Sequence, residues 1–132
     1  MPSPSHRKLV PLCDRVGRAR LDRIVHHFYG RLRRDPVLAP HFAAIGDFAE
    51  HEARIAEFWW VAMGGRVAAP APVDMVGRHQ PLGLTAGDFR RWLALFAETV
   101  DAELPQPLAG QWQQMARAIA ARLQAQVAGH PV

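Results

Sequence analysis

The chain has 132 residues and a formal net charge of +4, which fits one domain that can bury a hydrophobic core. Cys13 is the only cysteine, which excludes a disulfide framework, a zinc site of paired cysteines and haem attachment through a Cys-x-x-Cys-His motif. No apolar run approaches the ~18 residues of a membrane-spanning helix or resembles the apolar segment of a signal peptide. We therefore expect a cytoplasmic protein without a membrane partner.

The first predicted element is a long helix from about Cys13 to Arg34, followed by a short helical piece. Apolar residues recur in the long helix at the spacing of one helix face; they are Leu21, Ile24, Val25, Phe28 and Leu32. Asp35 is suited to cap the short piece, and Pro36 is suited to its first turn.

The middle of the chain predicts a second long helix with an acidic start and a glycine stop. Asp47 with Glu50 resembles a capping pair, and the helix should run to about Met63, before two glycines. The proline-rich residues 66–87 should be irregular, except for a single helical turn around Val73 to His79.

Two further helices are predicted in the last third of the chain. Thr85 with Asp88 should cap a helix that runs to about Leu104, and a last helix should follow the prolines at 105 and 107. The apolar positions of these two helices are Phe89, Trp92, Leu93, Phe96 and Val100, then Trp112, Met115, Ile119, Leu123 and Val127. No segment alternates as a β-strand does. We predict an all-α fold of four main helices in a single domain, 1–132, with residues 1–12 as a flexible N-terminal extension.

Tyr29, His51 and His79 place polar ring atoms within apolar helical patterns. A small helical protein rarely points several such rings at its own core, and a buried prosthetic group is an economical explanation. A haem without cysteine attachment needs an apolar crevice and an axial ligand, most often a neutral imidazole. It also needs a second ligand or hydrogen-bond donors for a diatomic molecule, and tyrosine and tryptophan supply such donors.

Four strings of residues carry a resemblance to a known family. In chain order they are Phe28-Tyr29, Asp35-Pro36-x-Leu38-x-Pro40-x-Phe42, His51-x-x-x-Ile55-x-x-Phe58-Trp59 and His79-x-x-Leu82-x-Leu84-Thr85-x-x-x-Phe89-x-x-Trp92-Leu93-x-Leu95-Phe96. Their order and spacing resemble a truncated haemoglobin of the group III branch, over about residues 21–100. The last helix fits the family pattern less specifically.

The resemblance implies a shortened globin, a two-over-two helical sandwich around a non-covalent haem b. It implies His79 as the proximal iron ligand, Tyr29 and Trp92 as distal groups, and His51 as the distal histidine. It also implies pocket contacts by Phe28, Phe42, Ile55, Phe58, Trp59 and Phe96. The proline-rich stretch before His79, Arg78 next to it and Gly83 differ from the family pattern, and they bear on the shape of the proximal loop.

Several roles stay open at this level. Tyr29 could donate to bound oxygen or to a helix carbonyl, and His51 could gate ligand access, act as a reversible sixth ligand or simply pack. Arg78, Arg54 and Arg66 are candidates for haem propionates, because guanidinium groups suit carboxylates, but each could equally be solvated. His26, His27 and His41 receive no role and are expected to be solvated.

The leading functional hypothesis is a haem protein that binds O2, NO and CO. Strong distal donors retain oxygen, which suits nitric oxide dioxygenation or peroxide chemistry better than bulk oxygen transport. An external reductase would be needed, because no nicotinamide or flavin motif is present. The alternative is a haem-free basic helical interaction or nucleic-acid-binding module, suggested by a pI of 10.5. Because the arginines are dispersed, we expect no nucleic-acid partner, and we expect a monomer. A haem-based sensor would require a separate output partner.

Overall fold

The computed structural model describes residues 10–69 and 74–127, and within them it contains six α-helices and no β-strand. The helices are α1 Leu12–Val16, α2 Arg18–Arg34, α3 Phe48–Ala62, α4 Met75–His79, α5 Ala86–Glu103 and α6 Leu108–Val127. Short 3₁₀ turns lie at Ala39–Phe42 and Gln80–Leu82. The predicted all-α class is confirmed, and the four long helices match the four main helices predicted.

The prediction of one continuous helix from Cys13 to Arg34 is wrong, because Gly17 separates α1 from α2. Gly17 has φ of 86° and ψ of 142°, a conformation that is open to glycine and strained for other residues. The side chain of Arg20 donates to the carbonyls of Val16 and Arg15 at 2.9 and 3.1 Å, which satisfies acceptors that the end of α1 leaves free. The apolar stripe predicted for the long helix is buried in α2.

Side-chain caps set the starts of α3, α4 and α5. Asp47 accepts from the backbone N–H of Glu50 at 3.0 Å, as predicted. Thr85 and Asp88 form a reciprocal capping box at 3.0 and 3.1 Å. Asp74 caps α4 by accepting from Gly77 at 2.9 Å, and this cap was not predicted. The predicted helical turn at 73–79 begins at Met75; residue 73 lies outside the described residues.

The long helices pack mainly as three neighbouring pairs. α2 lies against α3 and α5, α5 lies against α6, and α4 also contacts α6. An aromatic cluster fills the centre, where Phe96 stacks on Trp59 at 5.7 Å and meets Trp112 edge-on at 5.3 Å. None of the described helices combines the length and apolar composition needed to cross a bilayer.

Part of the predicted domain lies outside the residues that the structure describes. Residues 1–9 of the proposed N-terminal extension lie outside the described residues, and Leu12 is already the first residue of α1. The single-domain assignment for 1–132 therefore stays a prediction.

Candidate functional site

A cavity of about 390 Å³ opens between α2, α3, α4, α5 and α6. This volume lies within the ~300–1,000 Å³ typical of small-molecule and cofactor sites. Its wall is largely apolar and includes every site residue predicted from the sequence: Phe28, Tyr29, Phe42, His51, Ile55, Phe58, Trp59, Arg78, His79, Trp92 and Phe96. Residues that lie up to 68 positions apart in the chain are thus brought to one site.

Tyr29 and His51 form a hydrogen-bonded pair in this wall. The hydroxyl oxygen of Tyr29, on α2, lies 3.1 Å from Nε2 of His51, on α3. The two rings meet edge-on at 5.2 Å, and Phe42 packs edge-on against Tyr29 at 5.7 Å. The sequence left bound oxygen or a helix carbonyl as the partner of the Tyr29 hydroxyl. In the structure the protein partner of this hydroxyl is His51 and not a helix carbonyl.

The surroundings of the pair fix its protonation. Burial, and then the negative charge of Glu52, raise the pKa of the Tyr29 hydroxyl well above its usual value, so it remains an O–H donor. Burial, followed by the positive charges of Arg54 and Arg78, lowers the pKa of His51, so neutral imidazole is favoured at neutral pH. A neutral imidazole can accept the Tyr29 proton at Nε2 or donate from that nitrogen, depending on its tautomer.

Trp92 joins the same wall from α5. Phe28 meets its ring edge-on at 5.1 Å, and Phe96 stacks on it at 5.3 Å with only 6° between the planes. These contacts on two sides restrict the orientation of the indole. Phe28 also packs against Tyr29, so Trp92 and Tyr29 share a neighbour in the cavity wall. An amphipathic ring held in this way can present its N–H at a defined position.

His79 reaches the cavity from the end of α4. Its Nδ1 lies 2.6 Å from the backbone carbonyl oxygen of Met75. Because a carbonyl only accepts, Nδ1 must carry the proton, and the lone pair then resides on Nε2. A hydrogen bond of this kind fixes the tautomer and orientation of a metal-binding imidazole and raises its basicity.

The two arginines Arg54 and Arg78 line the cavity, and both are exposed. Arg54 also lies 3.6 Å from Glu50 in an exposed pair one helical turn away. Arg66, the third candidate for pairing with propionates, does not line the cavity. Trp60 does not line it either; its ring lies 5.8 Å from the guanidinium carbon of Arg18.

Sequence reasoning missed a histidine–carboxylate pair in the wall. His41, expected to be solvated, lines the cavity, and its Nε2 lies 3.3 Å from a carboxylate oxygen of Asp88. The capping contact with Thr85, more than the charge of His41, keeps the pKa of Asp88 below its usual value. The one signal in the sequence was the position of His41 directly before Phe42, in a segment already assigned to the pocket.

The contribution of α6 was also missed. Trp112, Ala116, Ile119, Ala120 and Leu123 line the cavity. Three of them, Trp112, Ile119 and Leu123, were predicted only as part of an apolar helix face. Trp112 Nε1 is, among the described side chains, the one buried nitrogen or oxygen without a hydrogen-bond partner. An apolar helix face has the same period whether it covers a core or a ligand, so sequence alone does not separate the two.

Comparison with known proteins places this architecture. A family model described as bacterial-like globin matches residues 12–126. A comparison with curated protein sequences gives no significant match. Among solved structures, the group III truncated haemoglobin of Campylobacter jejuni is 26% identical with a TM-score of 0.75, covering 84% of this chain and 91% of that one.

Two further solved structures have the same fold. A thermostable haemoglobin of the actinobacterium Thermobifida fusca is 26% identical with a TM-score of 0.74, covering 86% of this chain and 96% of that one. The 2/2 haemoglobin of Synechococcus sp. PCC 7002, crystallised in the cyanomet state with covalently attached haem, is 23% identical with a TM-score of 0.77. That match covers 92% of this chain and 100% of that one.

The family implies a haem cofactor, and the residues of the cavity fit one. The wall is apolar and aromatic, His79 keeps Nε2 free of its backbone contact, and two arginines flank the cavity where carboxylates could pair with them. The chain belongs to the bacterial-like globin family and has the two-over-two helical fold of the truncated haemoglobins.

Proposed function

We propose that this globin holds a non-covalent haem b, binds O2, NO and CO, and serves redox or detoxification chemistry rather than bulk oxygen transport. The observation that carries the proposal is the Tyr29–His51 pair, which puts hydrogen-bonding atoms 3.1 Å apart in the wall of a largely apolar cavity that also contains His79.

The proximal side rests on His79. Its Nε2 would bind the iron, and the bond from Nδ1 to Met75 would hold the ring in position. When bound, the haem supplies an iron that coordinates diatomic ligands and exchanges electrons. Phe28, Phe58 and Phe96 would exclude bulk water from it, and Arg78 would pair with a propionate. Cys13 is buried in α1 and does not line the cavity, which fits a haem without a cysteine link.

The distal side supports retention of ligand rather than easy release. Tyr29 keeps its proton because burial raises its pKa, so it would donate to a polar diatomic ligand, with Trp92 as a second donor. Donors fixed in an apolar site stabilise developing negative charge without reorganisation, because the protein has already oriented them. This feature suits nitric oxide dioxygenation and peroxide reduction, in which oxygen atoms gain electron density.

The chemistry requires electrons from outside the chain. An external one-electron reductase would provide them, since the sequence has no nicotinamide or flavin motif. The predicted cytoplasmic location and monomeric state stay predictions. The haem-free, nucleic-acid-binding alternative receives less support, because several arginines are engaged in pairs with carboxylates, such as Arg18 with Asp22 and Arg23 with Glu103.

The test is consumption of nitric oxide and of hydrogen peroxide by haem-loaded protein supplied with an artificial one-electron donor. The proposal expects at least one of the two substrates to be consumed much faster than by free haem at equal concentration. It also expects Tyr29→Phe to slow that reaction. Rates equal to those of free haem for both substrates would overturn the redox assignment and leave a ligand-binding globin.

A further inference from the structure

Two neighbouring histidines on α2 each hold a carboxylate of another helix. His26 Nδ1 lies 2.7 Å from Glu52 of α3, and His27 Nδ1 lies 2.8 Å from Glu103 of α5. The pairs are closely alike: the histidine is at least half exposed, and the carboxylate is largely buried, at 15% exposed for Glu52 and 18% for Glu103. The two pairs differ in their surroundings, and Glu103 also accepts from Nε of Arg23 at 3.3 Å.

The His26–Glu52 pair lies directly behind the distal pair of the cavity. His26 precedes Tyr29 by three positions, so the two share a face of α2, and Glu52 follows His51 on α3. Tyr29 and His51 line the cavity, whereas His26 and Glu52 do not. The four residues therefore form two contacts between the same helices, one on the solvent side and one on the cavity side.

Glu52 is electrostatically coupled to both distal residues. Its charge helps to raise the pKa of Tyr29, and it opposes the lowering of the pKa of His51. The other groups that act on His51 are the cations Arg54 and Arg78 and the second histidine, His79. Glu52 is thus a carboxylate whose charge acts on the pKa of both distal residues.

We propose that Glu52 is the proton inlet of the distal site: it transfers protons from solvent to the Tyr29–His51 pair. His26 holds the Glu52 side chain and returns a proton to it after each transfer. A glutamate has rotatable side-chain bonds, so Glu52 can turn from His26 to His51 or reach it through one bridging water. His26 then takes up the next proton from solvent. His27 and Glu103 have the same chemistry but serve as an α2–α5 contact.

The inlet favours peroxides as the substrate class of the site. This choice of substrate rests on the proposed function. Reduction of a peroxide, ROOH + 2 H⁺ + 2 e⁻ → ROH + H₂O, breaks the O–O bond and consumes protons, with the electrons coming from the external one-electron donor. Conversion of nitric oxide to nitrate, NO + O₂ + e⁻ → NO₃⁻, consumes no proton. A proton route into the site therefore assists peroxide reduction and has no role in the conversion of nitric oxide to nitrate.

The test measures proton movement itself in haem-loaded, reduced protein under carbon monoxide. NMR saturation transfer gives the rate at which the Tyr29 hydroxyl and His51 ring protons exchange with water. Glu52→Gln should slow this exchange by roughly 10-fold or more, since a positioned acid–base group typically contributes about 10²–10⁴-fold. His26→Gln should slow it less, and added imidazole buffer should restore part of the rate in both variants.

The matched control is Glu103→Gln, which removes the carboxylate of the neighbouring pair and should leave the exchange rate unchanged. Equal thermal unfolding midpoints for Glu52→Gln and Glu103→Gln show that the comparison is between folded proteins. An exchange rate in Glu52→Gln equal to wild type, or an equal slowing in Glu103→Gln, overturns the inlet.

Measuring peroxide turnover distinguishes a failure of the inlet from a failure of the proposed peroxide function. If Glu52→Gln slows exchange but wild type consumes no peroxide, the inlet stands and the peroxide function fails. If wild type reduces peroxide and exchange does not depend on Glu52, the inlet fails and the function stands. If the inlet and the peroxide function both hold, the pH dependence of peroxide reduction should differ between wild type and Glu52→Gln.

Discussion

The hydroxyl of Tyr29 and Nε2 of His51 lie 3.1 Å apart across the contact between α2 and α3, in the wall of the cavity. Aromatic rings surround the pair, with Phe42 edge-on against Tyr29 at 5.7 Å. Burial keeps the Tyr29 hydroxyl protonated by raising its pKa, which makes it a donor for a ligand or for His51.

Replacement of Tyr29 by phenylalanine tests the donor directly. The ring and its packing are kept, but the hydrogen bond to a polar diatomic ligand is lost, at a cost of roughly 1.5–3 kcal/mol. Oxygen should therefore dissociate about 10- to 100-fold faster from Tyr29→Phe, as measured by stopped flow. Carbon monoxide, which is less polar, should change much less. An oxygen off-rate equal to wild type would refute the donor role.

His79→Ala should lose the haem or hold it weakly, because the site then lacks its iron ligand. The measurement is the height of the Soret band per protein after gel filtration, with and without added imidazole, which should restore part of the band. His27→Ala is the matched control, since it removes an exposed histidine paired with Glu103 outside the cavity. A five-coordinate haem spectrum unchanged in His79→Ala would mean that another residue binds the iron.

The helices of the fold follow largely from patterns that are local in the sequence. Helix caps such as Asp47 and Thr85 act within three residues, and the apolar stripe of α2 has a helical period, so both can be read from a single chain. The aromatic and histidine positions predicted for the cavity came from the resemblance to truncated haemoglobins, and the structure brings all of these predicted residues into one wall.

The missed features depend on contacts between distant segments. His41 meets Asp88 and Asp35 meets Arg91 only after the 3₁₀ turn and α5 have packed together, and nothing local marks these pairs. The break at Gly17 was missed for a different reason. Glycine is tolerated inside helices as well as at their ends, so its presence does not specify which of the two occurs.

Thr85→Ala should destabilise the protein by about 1 kcal/mol, within a range of roughly 0.5–2, because it removes the side-chain acceptor at the start of α5. The effect should appear as a lower midpoint in urea unfolding with an unchanged slope. Thr85→Ser keeps the hydroxyl and should stay close to wild type. Equal losses in the two variants would show that the methyl group, and not the cap, is what matters.

The ion pair between Asp35 and Arg91 should make stability depend on pH in the acid range. Asp35 is buried, and Arg91 Nε lies 2.8 Å from both of its carboxylate oxygens. The hydrogen bonds from Arg91, followed by backbone N–H donors and against the opposing effect of burial, hold the pKa of Asp35 below its ordinary value. A lowered folded-state pKa contributes stability that is complete above the unfolded value of about 3.9 and is lost as pH falls through the folded value.

Asp35→Asn should therefore be less stable than wild type at pH 7, and the difference should shrink as the pH falls below about 4. Urea unfolding midpoints between neutral and acid pH measure this. Asp88, whose pKa is also lowered, should leave a residual acid dependence in the variant. A stability difference that stays constant with pH would contradict the role assigned to the ion pair.

The absorption spectrum of haem-supplemented protein tests the central claim most directly, recorded oxidised, then reduced, then reduced with carbon monoxide. A globin that holds haem through His79 should give a stoichiometric Soret band that shifts on reduction and shifts again with carbon monoxide. Folded helical protein that shows no Soret band beyond that of free haem would contradict the account.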